Sequence, residues 1–344
     1  MDGPNGTMIL MRASANDVAL EDLTDSEREL LHALDGTSSL AALEERFGAA
    51  VVADVLEQLN DWRMVDDAAD EDGIAAQVKE RLDRQLRYFS DITSGMPSAS
   101  ECQARLGEAR VAVLGAGGLG GRIALDLAAM GVGEIRLTDG DRIELSNLNR
   151  QIQYTEADIG ELKAEVMADR LRSFNSDIRV DAACDRLESQ EEVAEFVKGA
   201  TFVIGSADWP PYVIEHWCNA ACFELGIPYI AMNQLPPFVR IGPIFVPGKT
   251  GCFECEMTRY RREHPLMDDA IEQRRHADPV AATLSPTTGA ISSLISMEVL
   301  HFLTGLVVPA SLGVGLTLDT RTMTIERDAV VQELGCPICG VTVV

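Results

Sequence analysis

A glycine-rich loop, GAGGLG, follows the apolar run RVAVL and precedes helix-forming residues. Gly115, Gly117 and Gly120 allow backbone amides to approach phosphate groups at a helix N-terminus, where the helix dipole favours anions. Gly118 lies in the same loop. About twenty residues further on, at the spacing of a carboxylate that binds a ribose hydroxyl, Asp139 follows the next apolar run. The pattern predicts a nucleotide-binding site.

The polar segment SNLNRQ favours ATP over a nicotinamide dinucleotide. It places Asn147, Arg150 and Gln151 at the phosphate end of the site, and Lys163 begins the next predicted helix. An arginine and a lysine that converge on a triphosphate stabilise the charge that builds on phosphate oxygens when a bond to phosphorus breaks. Asp208, which ends the predicted strand TFVIGSAD, could hold Mg²⁺. Each of these residues alone would be an ordinary surface or capping residue, so only their combination indicates ATP chemistry.

Four of the eight cysteines form two CxxC pairs in glycine-flanked turns, as zinc knuckles do. A redox-active site would need one such pair near a helix start, so two pairs favour a zinc site. Cys218 and Cys222 lie in a helical pattern and are predicted to be small core residues. The predicted zinc ligands are Cys252, Cys255, Cys336 and Cys339.

The composition argues against two classes of partner. A formal net charge of −26 is unsuited to a large nucleic-acid footprint, which requires clustered lysine and arginine. No apolar run approaches the roughly 20 residues of a membrane span, and no signal-peptide pattern opens the chain. We therefore expect a cytoplasmic enzyme with no nucleic-acid or membrane partner.

The elements that must position these residues alternate between strand and helix from about residue 101 onward. This alternation predicts a Rossmann-like, doubly wound, mostly parallel sheet. In such a sheet the ligand lies beyond the carboxyl ends of the strands, where the glycine loop, Asp139 and Asp208 fall. We assign residues 101–344 to this domain. The helices expected around the site are 120–129, 163–174, 191–197 and 213–225.

The sequence pattern of residues 1–70 predicts a small, separate α+β module whose elements follow a winged-helix-like order. The segments TMILMRA and DVALEDL are predicted to form strands, and RMVDD is predicted to form a returning strand. A capping box of Thr24 and Glu27 begins the first of three predicted helices. The third helix carries three acidic residues and no lysine or arginine, so it would be repelled by DNA. Residues 71–100 are expected to form a helical linker.

In combination, the glycine loop, the DGD and SNLNRQ segments, Lys163 and Asp208 resemble the ThiF/MoeB/HesA family of ubiquitin-activating-like adenylating enzymes. The resemblance begins at about residue 105. It implies an enzyme that joins a carboxylate to AMP, releases pyrophosphate and works as a homodimer. It also implies a structural role for the zinc.

The same resemblance implies roles for individual residues. Asp139 would bind the ATP ribose, and Asp208 would coordinate Mg²⁺. Arg150, Lys163 and Asp208 are the expected catalytic residues. The expected nucleotide-binding residues are Gly115, Gly117, Gly118, Gly120, Asp139, Asp141, Asn147, Arg150, Gln151 and Lys163.

Two features depart from the family pattern. Relatives that pass their acyl group to a cysteine carry it before the final CxxC, but no cysteine lies between Cys255 and Cys336. A thioester intermediate is therefore not expected. Ser90 stands where the family has an arginine that enters from the partner subunit, and Arg84 and Arg87 are the alternatives.

The front segment resembles PqqD-like leader-peptide recognition modules in its LLHALDG stretch and in the later tryptophan and valine of DWRMV. Fused to an adenylating domain, it is similar to the microcin C peptide-adenylating (MccB-type) and related maturation enzymes of ribosomally made peptides. In these, the leader adds a strand to a sheet edge. This implies a precursor peptide, activated at its C-terminal carboxylate, and a downstream maturation enzyme as partners. The alternatives are adenylation of a sulfur-carrier protein, as in thiamine or molybdopterin synthesis, and a non-catalytic leader-binding subunit of a cyclodehydratase.

Overall fold

The chain divides into two compact units, residues 1–104 and 105–344. The computed structural model describes residues 7–10, 18–62, 64–65, 74–92, 97–277 and 282–340. Elements of the first unit are strands β1 (Met8–Leu10) and β2 (Val18–Leu20) and helices α1 (Asp25–Ala33), α2 (Leu40–Phe47), α3 (Ala49–Asp61) and α4 (Ala76–Ile92). Helix α5 (Ala99–Glu108) spans the division between the units.

The first unit contains the predicted strand pair and three-helix order. Strands β1 and β2 form an antiparallel sheet, and the side chains of α1, α2 and α3 pack around a small apolar core. The Thr24 hydroxyl accepts the Glu27 amide while the Glu27 carboxylate accepts the Thr24 amide, so the predicted capping box is confirmed. The predicted returning strand is not found at Met64 and Val65, and the rest of RMVDD lies outside the described residues.

The second unit is built on one eight-stranded sheet of order β10-β9-β8-β7-β6-β3-β4-β5. Strands β3 to β7 are parallel, and β8, β9 and β10 continue the sheet in antiparallel pairs. The predicted doubly wound, mostly parallel sheet is therefore confirmed. Its strands are β3 (Arg110–Leu114), β4 (Glu134–Thr138), β5 (Arg179–Ala183), β6 (Phe202–Gly205), β7 (Tyr229–Leu235), β8 (Phe238–Phe245), β9 (Val314–Asp319) and β10 (Thr324–Ala329).

Helices flank this sheet, and the central strands β3, β4 and β6 are almost wholly buried, as parallel strands covered on both faces must be. The four helices predicted around the site are present, each within one residue of its predicted bounds. The helices are α6 (Gly120–Met130), α7 (Lys163–Phe174), α8 (Gln190–Val197), α9 (Ile214–Leu225), α10 (Phe253–Glu263), α11 (Met267–Ala277) and α12 (Ser285–Thr304).

The winding of the sheet creates the place for a ligand. Strand β3 lies between β4 and β6, so successive strands are added first on one side of β3 and then on the other. A crevice opens beyond the carboxyl ends of the strands at such a switch point. Within the described residues, no helix is long and apolar enough to cross a membrane.

Candidate active site

A cavity of about 440 Å³ opens at the carboxyl ends of the parallel strands. Its walls contain almost every residue predicted from the sequence to bind nucleotide or act in catalysis. The fold therefore brings these widely separated residues together. The predicted residues that line the cavity are Gly115, Gly117, Gly118, Asp139, Asp141, Asn147, Arg150, Gln151, Lys163 and Asp208.

Gly120 does not line the cavity, and its contribution to the site is indirect. A Cβ atom at Gly120 would lie 2.0 Å from the Gly115 carbonyl oxygen and 2.3 Å from Oγ of Ser206. The turn from β3 into α6 therefore requires glycine at this position, because any side chain would displace the loop. Gly115 itself has a φ of 93°, in the left-handed region that favours glycine.

Asp139 fastens the glycine loop to the loop after β4. Its Oδ2 accepts a hydrogen bond from the Ala116 amide at 2.8 Å, and its Oδ1 accepts one from the Asp141 amide at 2.9 Å. Burial raises the pKa of Asp139, although Lys163 and these amides oppose the shift. A carboxylate has about four lone-pair sites, so Asp139 can still accept hydrogen bonds from a ligand.

Lys163 and Arg186 share the carboxylate of Asp141. Nζ of Lys163 lies 3.0 Å from Oδ2, and a guanidinium nitrogen of Arg186 lies 2.6 Å from Oδ1. Partial burial opposes the ionisation of Asp141, but the hydrogen bonds from Arg186 and Lys163 outweigh it and lower the pKa. The buried ammonium group of Lys163 thus has a charged partner inside the cavity wall.

The SNLNRQ segment forms a short 3-10 turn and the loop after it, in which local hydrogen bonds orient the side chains of Ser146, Asn147, Asn149 and Arg150. Oδ1 of Asn147 accepts the Glu144 amide at 3.1 Å, so its NH₂ group can donate to a ligand. Arg150 donates to the Ser146 carbonyl oxygen and to Oδ1 of Asn149, both at 3.0 Å. These contacts hold Arg150 beside the glycine loop while some of its guanidinium N–H groups can still donate.

Asp208 and Glu215 face the cavity from the chain that leads from β6 into α9. Strand β6 ends at Gly205, so Asp208 lies three residues beyond the strand rather than at its last residue. It is exposed, whereas Oε2 of Glu215 is buried and has no hydrogen-bond partner in the described part of the chain. Burial raises the pKa of Glu215, and the negative charge of Asp208 adds to the shift.

Sequence analysis did not predict three charged residues of this cavity, Asp185, Arg186 and Glu215. Arg186 lies three residues past β5, and its guanidinium carbon is 5.0 Å from the ring centre of Trp209. Its position beyond the carboxyl end of a parallel strand was the signal that could have found it. Glu215 carries only the weak signal of an acid in the first turn of a helix.

The four predicted zinc ligands converge in the second unit. Their sulfur atoms lie within 4.8 Å of one another, with Cys252 and Cys336 3.5 Å apart and Cys255 and Cys339 3.2 Å apart. Tetrahedral coordination with Zn–S bonds of about 2.3 Å places sulfur atoms about 3.8 Å apart, so the group fits a zinc ion. The Glu333 amide lies 3.3 Å from Sγ of Cys255 and would donate to its thiolate.

Comparison with known proteins places the chain in one family. The ThiF family model matches residues 82–337. The sulfur carrier protein ThiS adenylyltransferase of Escherichia coli is 31% identical over 70% of this chain and 90% of that protein. The sulfur carrier protein adenylyltransferase of Thermus thermophilus is 32% identical over 76% of this chain and 92% of that protein.

Among solved structures, E. coli MccB crystallised with AMPCPP and MccA has a TM-score of 0.74. The two chains are 24% identical, and the match covers 97% of this chain and 98% of MccB. PaaA has a TM-score of 0.72 at 22% identity, over 97% of this chain and 98% of PaaA. These likenesses establish the fold, and the family match shows that the chain belongs to the ThiF family.

Proposed function

We propose that the chain adenylates a carboxylate of a ribosomally synthesised precursor peptide, most simply the C-terminal one. The coarser activity follows from the family: the chain is an adenylyltransferase that activates a carboxylate with ATP and releases pyrophosphate. The identity of the substrate is the proposal. The observation that carries the activity is the convergence of the glycine loop, Asp139, Arg150 and Lys163 on one cavity.

The geometry supports a role for each residue in this reaction. The glycine-loop amides would cradle phosphate, and Asp139 would accept hydrogen bonds from the ribose hydroxyls. Arg150 and Lys163 would stabilise the charge that develops on the α-phosphate as the substrate carboxylate attacks and pyrophosphate leaves. Asp208 would hold Mg²⁺, which, when bound, neutralises charge on the phosphate oxygens.

The front unit supports a peptide substrate. Its strand pair and three helices follow the order expected of a leader-recognition module, and MccB, whose structure was solved with MccA, matches over nearly the whole chain. The curated sulfur-carrier enzymes align with only 70–76% of this chain. A leader segment would add a strand to β1 or β2, where main-chain hydrogen bonds give affinity.

The sulfur-carrier reading is the second candidate, and the 31–32% identity to two such enzymes favours it. In that reading the activated carboxylate is the C-terminus of a small carrier protein. A third reading, a leader-binding subunit without catalysis, is disfavoured because the candidate catalytic residues Arg150, Lys163 and Asp208 all line the cavity. We further propose a homodimer, a downstream maturation enzyme that consumes the acyl-adenylate, and a structural zinc on the four clustered cysteines.

Pyrophosphate release with defined acceptors tests the proposal. The full-length protein would be assayed with ATP, Mg²⁺ and a precursor peptide encoded beside its gene, with the same peptide without its leader half, and with small sulfur-carrier proteins. We expect release with the complete peptide and much slower release without the leader. Removal of residues 1–70 should reduce activity on the complete peptide to that lower rate.

The other outcomes separate the alternatives. Release with a carrier protein that is unaffected by removal of residues 1–70 would contradict the peptide proposal and support the sulfur-carrier reading. Absence of release with every acceptor, together with peptide delivery to another enzyme, would support the non-catalytic reading.

A further inference from the structure

The roles proposed above do not account for one buried carboxylate oxygen in the cavity wall. Oε2 of Glu215 is buried and accepts no hydrogen bond from any described residue, although Glu215 lines the cavity. The residue stands in the first turn of α9, seven positions after Asp208, so a helix holds it in place. Burying a carboxylate oxygen without a partner costs free energy that a bound ligand could offset.

The chemistry of this atom restricts what that ligand group can be. A deprotonated carboxylate only accepts, and the phosphate oxygens of a nucleotide also only accept, so the two cannot satisfy each other. Gln151 has a buried amide oxygen without a partner in the same cavity, but rotation of its amide would present nitrogen instead. Ionised Glu215 offers oxygen in either orientation, so in that form it requires a hydrogen-bond donor or a cation.

The charges around the cavity favour a cation. Among the described residues, five acidic side chains line it, against the three cations Arg150, Lys163 and Arg186. Two of those cations are already paired with Asp141, at 3.0 and 2.6 Å. An ATP molecule would add further negative charge that the three cavity-lining cations do not balance. His216 and Arg275, which also act on the charge of Glu215, do not line the cavity. The acidic residues are Asp139, Asp141, Asp185, Asp208 and Glu215.

We propose that Glu215 is a second carboxylate ligand, beside Asp208, for the divalent cation that enters with the nucleotide. This inference rests on the adenylation function proposed above. Mg²⁺ in nucleotide sites is commonly held by one or two carboxylates together with substrate phosphates, and it keeps several waters. Asp208 from the loop after β6 and Glu215 from α9 both line the cavity, and they lie close enough for the charge of Asp208 to act on Glu215.

Contacts around this segment agree with a fixed pair of ligands. Arg275 of α11 donates to the Tyr212 carbonyl oxygen at 3.1 Å, which anchors the chain between Asp208 and Glu215. Trp209, the residue after Asp208, has its ring centre 5.0 Å from the guanidinium carbon of Arg186. The segment between Asp208 and Glu215 is therefore held by contacts at Trp209 and at Tyr212.

Manganese binding tests the proposal without relying on turnover. Mn²⁺ would be titrated into the full-length protein with a non-hydrolysable ATP analogue, and bound Mn²⁺ would be measured by electron paramagnetic resonance. We expect Glu215→Gln to weaken Mn²⁺ binding in this ternary complex by about ten- to a hundredfold, the range seen when partners of a metal site are removed. Affinity for the analogue in the absence of metal should stay within about twofold of the wild-type value, because the role is confined to the metal.

The matched control is Glu224→Gln, which removes one negative charge from an exposed position of the same helix. It should bind Mn²⁺ like the wild type. Glu215→Asp retains a carboxylate and should recover part of the affinity. Water relaxation by the bound Mn²⁺ should indicate one more coordinated water in Glu215→Gln than in the wild type.

Three results would overturn the inference. Wild-type Mn²⁺ affinity in a folded Glu215→Gln variant would exclude Glu215 as a ligand. An equal loss of analogue affinity with and without metal would assign Glu215 to the nucleotide instead. If the wild-type protein binds no analogue at all, the adenylation proposal fails and this inference fails with it, whereas the first two results leave adenylation intact.

Discussion

The ammonium nitrogen of Lys163 lies 3.0 Å from Oδ2 of Asp141, and the Lys163 side chain is only 8% exposed. A buried ammonium group is costly unless it is paired and hydrogen-bonded. Asp141 therefore holds Lys163 in the cavity wall with its charge balanced, and Arg186 shares the same carboxylate. Phosphate oxygens that reach this position would find the lysine already oriented.

Replacing Asp141 by Asn should destabilise the protein, because it removes the charged partner of a buried lysine. The loss in the free energy of unfolding at pH 7 should be about 1–3 kcal/mol, the cost of leaving a buried group poorly satisfied. It should stay below the cost for a fully buried pair, since the Asp141 side chain is 41% exposed. Denaturant unfolding monitored by circular dichroism would measure it, and an unchanged stability would refute a structural role for this pair.

The same pair predicts a dependence on pH. The folded-state pKa of Asp141 is lower than its ordinary value near 3.9, so its stabilisation is complete above that value and is lost as pH falls through the folded-state pKa. The stability difference between wild type and Asp141→Asn should therefore shrink as pH falls from about 4 through the lower folded-state pKa. Unfolding curves at half-unit pH steps would test this, and a constant difference across the range would contradict it.

Replacing Arg150 by Ala should slow adenylation by about two to three orders of magnitude, if this side chain stabilises developing phosphate charge. Arg142 provides the matched control: it is an exposed arginine that donates to the Gly160 carbonyl oxygen and does not line the cavity. Arg142→Ala should retain the wild-type rate. Pyrophosphate exchange is the measurement, and an Arg150→Ala variant as fast as Arg142→Ala would exclude the proposed role.

Much of the nucleotide cavity could be predicted because its residues lie in continuous motifs. The glycine loop and Asp139 flank strands β3 and β4, whose apolar runs are evident in the sequence, and α7 begins at the predicted Lys163. Parallel topology then requires that these strand ends share one edge of the sheet. The local sequence pattern and this general rule of topology were therefore sufficient to predict that the glycine loop, Asp139 and Lys163 lie at one site.

The remainder depends on contacts between distant segments. Arg186 and Asp141 are 45 residues apart in the chain, and nothing in the local pattern around either residue indicates their 2.6 Å pair. The antiparallel strands β8 to β10 were not predicted either. The pairing of β8 with β9 crosses a long connection through α10, α11 and α12, whereas β9 and β10 are joined by a short turn. The burial of Glu215 could not be predicted from the sequence, because it depends on the packing of α9 against the sheet.

Replacing Gly120 by Ala should disrupt the glycine loop, because the new Cβ atom would lie 2.0 Å from the Gly115 carbonyl oxygen. Overpacking of this kind costs about 1–3 kcal/mol, and displacement of the loop should also weaken nucleotide binding. Gly107→Ala is the control: a Cβ at that helical position meets nothing within 4 Å and should leave stability equal or raise it by up to about 1 kcal/mol. Equal melting temperatures for the two variants would contradict the packing argument.

The four clustered cysteines predict about one zinc ion per chain, bound through sulfur alone. Cys336→Ser should lose this zinc and unfold at a markedly lower temperature, because structural zinc contributes about 10–16 kcal/mol in zinc-finger peptides at neutral pH. The C-terminal segment, which carries Cys336 and Cys339, would then no longer be attached through zinc to Cys255 of α10 and to Cys252, the residue that precedes this helix. Metal analysis of protein purified under reducing conditions, combined with calorimetry, would measure both effects.

Cys184→Ser is the matched control for the zinc prediction, since Cys184 is a free, partly exposed cysteine outside the cluster. It should retain both the zinc and the melting temperature of the wild type. Replacement of the metal by Co²⁺ adds a direct test of the ligands, because tetrahedral coordination by four thiolates gives intense charge-transfer absorption that Cys336→Ser should alter and Cys184→Ser should not. A folded, fully reduced wild-type protein without zinc would refute the site, and the close approach of the four sulfur atoms would then be a packing arrangement of reduced thiols.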